Sequence, residues 1–205
     1  MTYMIKILIT SIFLLMASSC SVTSYSELAP LIKTAVVGTP DIEVSDEYIN
    51  NKQYSFARMR LGRASTAILI LSRIENNVFV WVSGDSEKIY TFNGRVIKTE
   101  GLVHNFESYD YHLFNPKPLS HSGLSSYQID LFFKNPDAFV SQDIILNINK
   151  SSDDILHIFE SVKTNGFKWN VTNEYSLNNV TGLPIKAVQF IHPHLPKIEI
   201  DYYFK

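Results

Sequence analysis

The sequence predicts an all-β fold: an antiparallel meander closing into a β-barrel or a two-layered sandwich, with one short N-terminal helix. Three observations carry this. From Gln53 onward the chain is rich in Val, Ile, Tyr, Phe and Thr and is cut at regular intervals by Asn, Gly, Asp and Pro. Asn76-Asn77, Asn93-Gly94 and Asn165-Gly166 stand between alternating segments, and Asn-Gly suits the type I′ hairpin turn because both of its central residues need positive φ. After the first segments no second helical periodicity appears. With about ten short strands, closing the sheet or doubling it removes unpaired edges.

The helix is expected over Glu27 to Val37, with Ser26 as N-cap, Leu28, Leu31, Ile32 and Ala35 along one face and Gly38 ending it. Strands are expected at Tyr54–Leu61, Thr66–Glu75, Val78–Ser83, Glu87–Phe92 and Arg95–Thr99. The second half continues with Ser126–Phe133, Ile144–Asn149, Ile155–Val162, Phe167–Tyr175, Ile185–His192 and Ile198–Phe204. Residues 153–163 also fit a helix capped by Ser152, with Ile155, Leu156, Phe159 and Val162 on one face. The Asn-Gly turn and the β-branched, aromatic segment that follow make a hairpin the simpler reading.

The N-terminus carries a different signal. Lys6 precedes an apolar run, Ile7 to Met16, broken only by Thr10 and Ser11, and then come Ala17-Ser18-Ser19-Cys20. Positive start, brief apolar stretch and small residues are the order of a secretory signal peptide. The run is too short to cross a bilayer, which takes about twenty residues. A cysteine directly after small residues resembles a lipobox, and a thiolate is the nucleophile that a thioether-linked lipid requires. Ala17 stands where a lipobox more often has Leu.

Cys20 is the only cysteine in the sequence, so acylation would remove a lone thiol and no internal disulfide can form. We therefore expect residues 1–19 as a lipoprotein signal peptide, 20–26 as a lipidated tether and 27–205 as a single all-β domain. Without residues 1–19, which hold Lys6 and no acidic side chain, the 18 basic and 20 acidic side chains of the 205 residues become 17 and 20 in 186 residues, a net charge of −3. That balance supplies no basic stripe for nucleic acid.

Further along, Trp81-Val-Ser83 and Asn93-Gly-Arg95-Val-Ile-Lys-Thr99-Glu-Gly101-Leu102 resemble the YjbF/GfcB family of group 4 capsule lipoproteins. Tyr54-Ser-Phe-Ala-Arg-Met-Arg60-Leu-Gly62 and the apolar Ala67–Leu71 precede them in the family's order, and Asn173-Glu-Tyr175, Thr181-Gly182, Gln189 and Pro193 follow. The pattern departs at Ile185-Lys-Ala-Val-Gln189, where the family would place Trp before the Lys and Ser after it. The resemblance covers nearly all of the mature chain. It implies a barrel-like domain on the periplasmic side of the outer membrane, held there by acyl chains on Cys20 and serving capsule or exopolysaccharide production or export. Ser21 after the cysteine resembles the outer-membrane sorting class. The resemblance carries over no catalytic residue, only Cys20.

Among the residues themselves, period two places Tyr54, Phe56, Arg58 and Arg60 on one strand face. Two guanidiniums beside aromatic rings suit an acidic saccharide or a partner protein; the same residues serve commonly as cross-strand ion pairs. The aromatic run Phe106 to Phe114 could line a sugar groove or fill the core, and Trp81 and Trp169 read first as core. His192-Pro193-His194 lacks a third ligand nearby in sequence, so no metal is expected. No cofactor motif appears: there is no glycine-rich phosphate loop, and Ser120-His121-Ser122-Gly123 does not form a nucleophile elbow. Adjacent Asp153 and Asp154 would point to opposite faces of a strand. The reading is a non-catalytic, membrane-anchored accessory protein that binds a glycan or a polysaccharide-export protein. Its rivals are a periplasmic enzyme that modifies or cleaves the polysaccharide and a structural partner of an export machine.

Overall fold

Alternation of apolar and polar side chains gives a wall with one greasy face, and the chain rolls that face inward. The computed structural model describes residues 42–116, 123–150, 154–166 and 168–205. In chain order these form helix α1 (Asp46–Asn50), β1 (Phe56–Leu61), β2 (Ala67–Glu75), β3 (Val78–Val82), β4 (Lys88–Phe92), β5 (Arg95–Glu100) and β6 (Phe106–Ser108). A 3-10 turn (Tyr111–Leu113) leads to β7 (Gly123–Phe133), β8 (Ala138–Lys150), β9 (Ile155–Thr164), β10 (Asn170–Asn178), β11 (Pro184–Gln189) and β12 (Ile198–Tyr203). All neighbours are antiparallel, and β1 pairs with both β2 and β12, so the meander closes into a barrel.

The all-β expectation holds, and of its two architectures the barrel is the one formed. The ambiguous segment after Ser152 is strand β9, in which Leu156, Ile158, Glu160, Val162 and Thr164 are buried while alternate residues reach solvent. Two elements escaped the sequence reading. The three-residue β6 links β5 to β7 through a single pair with β5, Lys98 with Glu107. Helix α1 begins at Ser45, whose Oγ accepts from the Tyr48 amide at 3.1 Å, with Asp46 and Glu47 at its positive end. It shields the outward side of β1: Tyr48 meets Phe56 edge-on at 5.6 Å, and Phe56 stacks on Tyr203 at 4.7 Å. That cover explains why Phe56 and Ala57, successive residues on opposite faces, are both buried. The predicted helix over 27–37, together with Cys20, Ser21, residues 120–122 and Asp153, lies outside the described residues.

The inward side chains fill the barrel. Trp81, Leu69, Ile89, Phe114, Ile148 and Ile158 are fully buried, and the Trp81 indole N–H donates to Thr91 Oγ1 at 2.9 Å. The outer wall carries Lys88, Lys98, Glu100, Glu107, Asp143, Lys163 and Asp201. An apolar interior under a charged exterior is the inverse of a barrel that faces lipid.

One turn fixes much of this. Asn93 (φ 50°) and Gly94 (φ 83°) form the β4–β5 hairpin turn, and the Gly94 carbonyl accepts from Gln189 Nε2 at 3.0 Å and from Tyr202 Oη at 3.1 Å. A Cβ on Gly94 would sit 2.9 Å from Pro184 Cβ. Gly94→Ala combines positive φ with that clash, so we expect it to lower the unfolding free energy by about 1–3 kcal/mol. A urea midpoint within error of the wild type would show that the turn relaxes without cost.

Candidate functional site

The deepest chemistry lies inside the wall. Arg95 opens β5 directly after the turn and pairs with Glu160 of β9, Nε to Oε1 at 3.0 Å, with side-chain exposures of 6% and 0%. Glu160 also accepts from Asn173 Nδ2 at 2.6 Å and Tyr175 Oη at 2.7 Å, with Tyr127 Oη at 3.4 Å. Gln189 extends the network: its Oε1 accepts from the Val96 amide at 2.8 Å. Asn173 Oδ1 in turn accepts from the Phe190 amide at 2.8 Å. Burial, the largest single influence, would lower the Arg95 pKa, but Glu160 together with Tyr127 and Tyr175 outweighs it and holds the guanidinium charged. Burial, then Glu160, pushes the Tyr175 hydroxyl far above its usual range. Both Glu160 oxygens meet donors, so the network clamps the interior, while Arg95 Nη1 is buried without a hydrogen-bond partner beside a cavity of about 20 Å³.

On the outer wall, the strand register sets Arg58 opposite Asp201 and Arg60 opposite Glu199. Arg58 gives Nη2 and Nε to Asp201 Oδ2, at 2.7 and 3.2 Å. Thr66 completes a small recess of about 50 Å³ with these four residues. The hydrogen bond to Asp201 and its charge outweigh desolvation and raise the Arg58 pKa. The guanidinium thus already holds a carboxylate of the protein itself.

A broader groove, about 340 Å³, lies over β5–β7 and is lined by residues that include Lys98, Glu100, Asn105, Glu107, Phe132 and Lys134. Lys98 Nζ stands 3.2 Å from Glu107 and 3.4 Å from Glu100, and Lys88 holds Glu100 from the other side at 3.2 Å. Burial tends to raise the Glu100 pKa, yet hydrogen bonds from Lys88, Tyr90 and Lys98 prevail and hold it below the usual carboxylate range. Register extends the groove into one outward row across five strands: Tyr90, Lys98, Glu107, Phe132 and Phe139. Tyr109 closes the row, its ring 5.8 Å from that of Phe139; the two are 50% and 65% exposed.

The aromatic run 106–114 therefore divides. Phe106 and Phe114 are core, with Phe114 packed 4.9 Å from the Tyr175 ring, and Tyr111 meets Phe92 edge-on, while Tyr109 faces solvent. Trp169 is half-buried, edge-on to Phe133.

In space a third imidazole joins the His-Pro-His segment. His104, from the β5–β6 loop, lies 5.0 Å from the His192 ring and 5.5 Å from that of His194. The trio does not make a metal site. His192 Nδ1 accepts from the His194 amide at 3.1 Å, so in the neutral ring its proton sits on Nε2 and neither nitrogen has a lone pair to offer. Among the described residues no group of His, Cys, Asp and Glu is placed to hold a metal ion.

Sequence reasoning passed over Arg95, Glu160 and most of the outer row. For Glu160 a signal was present: it falls on the apolar parity of Leu156, Ile158 and Val162, where a carboxylate needs a buried partner. For the row only the aromatic run 106–114, which holds Glu107 and Tyr109, gave a hint; Tyr90, Lys98, Phe132 and Phe139 join it only through register.

Fold and surfaces together define a filled β-barrel with a charged outer wall and its candidate binding surfaces on the outside. The chain belongs to the family described as group 4 capsule polysaccharide lipoprotein (GfcB, YjbF), whose model matches residues 30–202. It is 32% identical over 98 residues to the uncharacterized lipoprotein GfcB of Escherichia coli (strain K12), covering 48% of this chain and 45% of that one. To the uncharacterized lipoprotein YjbF of the same organism it is 29% identical over 85 residues, 42% of this chain and 40% of that one. The matched segment thus spans less than half the length of each relative. A crystal structure of the hypothetical lipoprotein YmcC from Escherichia coli (K12) superposes with a TM-score of 0.63 at 19% identity, covering 88% of this chain and 94% of that one. It shares the fold.

Proposed function

We propose that this chain is a lipid-anchored accessory protein of the outer membrane, facing the periplasm, that serves capsule or exopolysaccharide production or export by binding the glycan without transforming it. The family and its lipoprotein relatives support the setting. The observation that carries the non-catalytic part is the state of the carboxylates. Glycoside hydrolysis needs a protonated carboxyl facing a second carboxylate across a cleft, with the acid's pKa raised. In the groove Glu100 is held low and shares Lys98 with Glu107, while Glu160 is sealed from solvent.

Among the described residues the outer wall offers the glycan the Arg58–Arg60 strand, the groove over β5–β7 and a groove of about 410 Å³ over β8–β10 whose lining includes Asp143, Ser161, Lys163 and Thr172. To test the reading, the purified lipoprotein is incubated with exopolysaccharide from the producing organism, and retention and chain length are followed by size-exclusion chromatography. We expect co-elution with chain length unchanged. Shortening that is lost in Glu100→Gln or Glu107→Gln would establish the enzyme instead. Specific co-purification with export proteins, without glycan retention, would point to the structural role.

The anchor has its own test. Each buried methylene contributes about 0.8 kcal/mol, so several acyl chains on Cys20 make detachment negligible. Cys20→Ser is expected to leave the outer-membrane fraction, either as soluble protein or as uncut precursor in the inner membrane. A variant that still fractionates wholly with outer membranes would refute the anchor.

A further inference from the structure

We propose that the outward row Tyr90–Lys98–Glu107–Phe132–Phe139, closed by Tyr109, is a binding cleft for a polysaccharide strand that lies across β4 to β8; this rests on the glycan-binding reading above. The row is built by register, one side chain from each of five adjacent strands. At ~4.8 Å per strand it runs about 19 Å, long enough for several sugar units.

The chemistry alternates along this line in the way a sugar chain does. Pyranose rings have flat C–H faces rimmed by hydroxyls. Phe139 and Tyr109 offer exposed ring faces at one end, Phe132 lines the groove beside them, and Tyr90 stands at the other end with Lys98 Nζ 5.6 Å from its centroid. Between the rings, Lys98 donates and Glu107 and Glu100 accept. Because these groups neutralise one another, they can hydrogen-bond to hydroxyls without the cost of desolvating a lone charge. Lys134 lines the same groove, exposed and with no carboxylate partner among the described residues, so a sugar carboxylate there would find a cation.

A protein partner fits less well. Hot spots cluster as buried aromatic anchors within a continuous apolar patch, whereas here the rings are separated by a hydrogen-bonded ion pair. The outer face of β7–β9 makes the contrast: Leu124, Ile145 and Phe159 are exposed there, but they meet Asn147, Ser161 and Ser126 across the strands and form no ordered row of rings and charges.

The experiment is calorimetric titration of the full acylated protein in detergent with exopolysaccharide isolated from the producing organism. Tyr109→Ala and Phe139→Ala are each expected to weaken binding by about three- to tenfold, from loss of one aromatic contact, and the double variant by more than either. Both side chains are at least half exposed, so the barrel should keep its unfolding midpoint. Phe159→Ala, on the outer wall away from the row, is expected to bind as the wild type does. If Tyr109→Ala and Phe139→Ala bind normally while Arg58→Ala/Arg60→Ala abolishes binding, the row is refuted and the glycan-binding reading stands with its site on β1. If the folded wild-type protein does not bind at all, both fall.

Discussion

Arg95→Met is expected to lower the unfolding free energy by about 3–5 kcal/mol, because it leaves Glu160 as an uncompensated charge in the interior. Asn173 and Tyr175 would still donate to the carboxylate, but neither supplies positive charge. The wild-type pair itself adds little net stability, since desolvating two ions costs about what their attraction returns. The informative comparison is therefore the double variant Arg95→Met/Glu160→Leu. It removes both charges at similar volume and is expected to recover most of the loss, although Asn173 and Tyr175 would each lose a partner. Urea unfolding of the four proteins gives the coupling directly. Should Arg95→Met cost less than about 1 kcal/mol, Glu160 must be neutral or hydrated, and the network would not be the clamp its geometry implies.

That pair also shows what a sequence can and cannot disclose. Parity along a strand is a local property, so the inward face of β9 and the oddity of Glu160 on it are visible in Leu156-His-Ile-Phe-Glu160-Ser-Val162 alone. The partner is not visible. Arg95 lies in a different hairpin, and only the number and order of strands between β5 and β9 bring the two together. Positive-φ turns were equally legible, since Asn76, Asn77, Asn93, Gly94 and Gly166 adopt the backbone that their residue types favour.

Barrel closure stood at the opposite extreme. Sandwich and barrel use the same strands, and the choice depends on β1 finding β12 from the far end of the described chain. With the register known, the arginines of β1 opposite the acids of β12 mark that seam; in sequence they read equally well as a saccharide site. Strand ends were blurred for a related reason. β8 begins at Ala138, ahead of the expected Ile144, because its first outward and inward residues mix Phe139, Ser141 and Gln142 in a segment without apolar alternation. The short β6 lay within the aromatic run, where residues of both parities are apolar and period two gives no signal. His104 shows the same limit at the scale of loops: it joins His192 and His194 because the β5–β6 and β11–β12 loops emerge at the same end of the barrel, since both follow odd-numbered strands of an antiparallel meander.

The imidazole cluster sets the second large expectation, a loss of stability on mild acidification. His192 is 1% exposed, and burial first, then the neighbouring His104 and His194, lowers its pKa from 6.5 to about 4. The hydrogen bonds agree: Nδ1 faces the His194 amide N–H, so a proton added there would break that bond, and Nε2 is buried with no hydrogen-bond partner. Between pH 6.5 and 4 the unfolded chain binds a proton at this residue and the folded chain does not, so stability rises with pH across that window and is lost as pH falls through it. The full loss is on the order of 3 kcal/mol, most of it incurred between pH 6 and 4. Carboxylates held low by ion pairs, Glu100 and Glu199 among them, add their own loss only below their unfolded values near 4.5. The interval from pH 6.5 to 5 therefore isolates the histidines. Unfolding free energies at half-unit steps should slope upward with pH there in the wild type and flatten in His192→Phe, which keeps a ring against Phe133 but cannot titrate. An equal slope in both proteins would mean that His192 accepts its proton in the folded state, and that the cluster opens to solvent at no measurable cost.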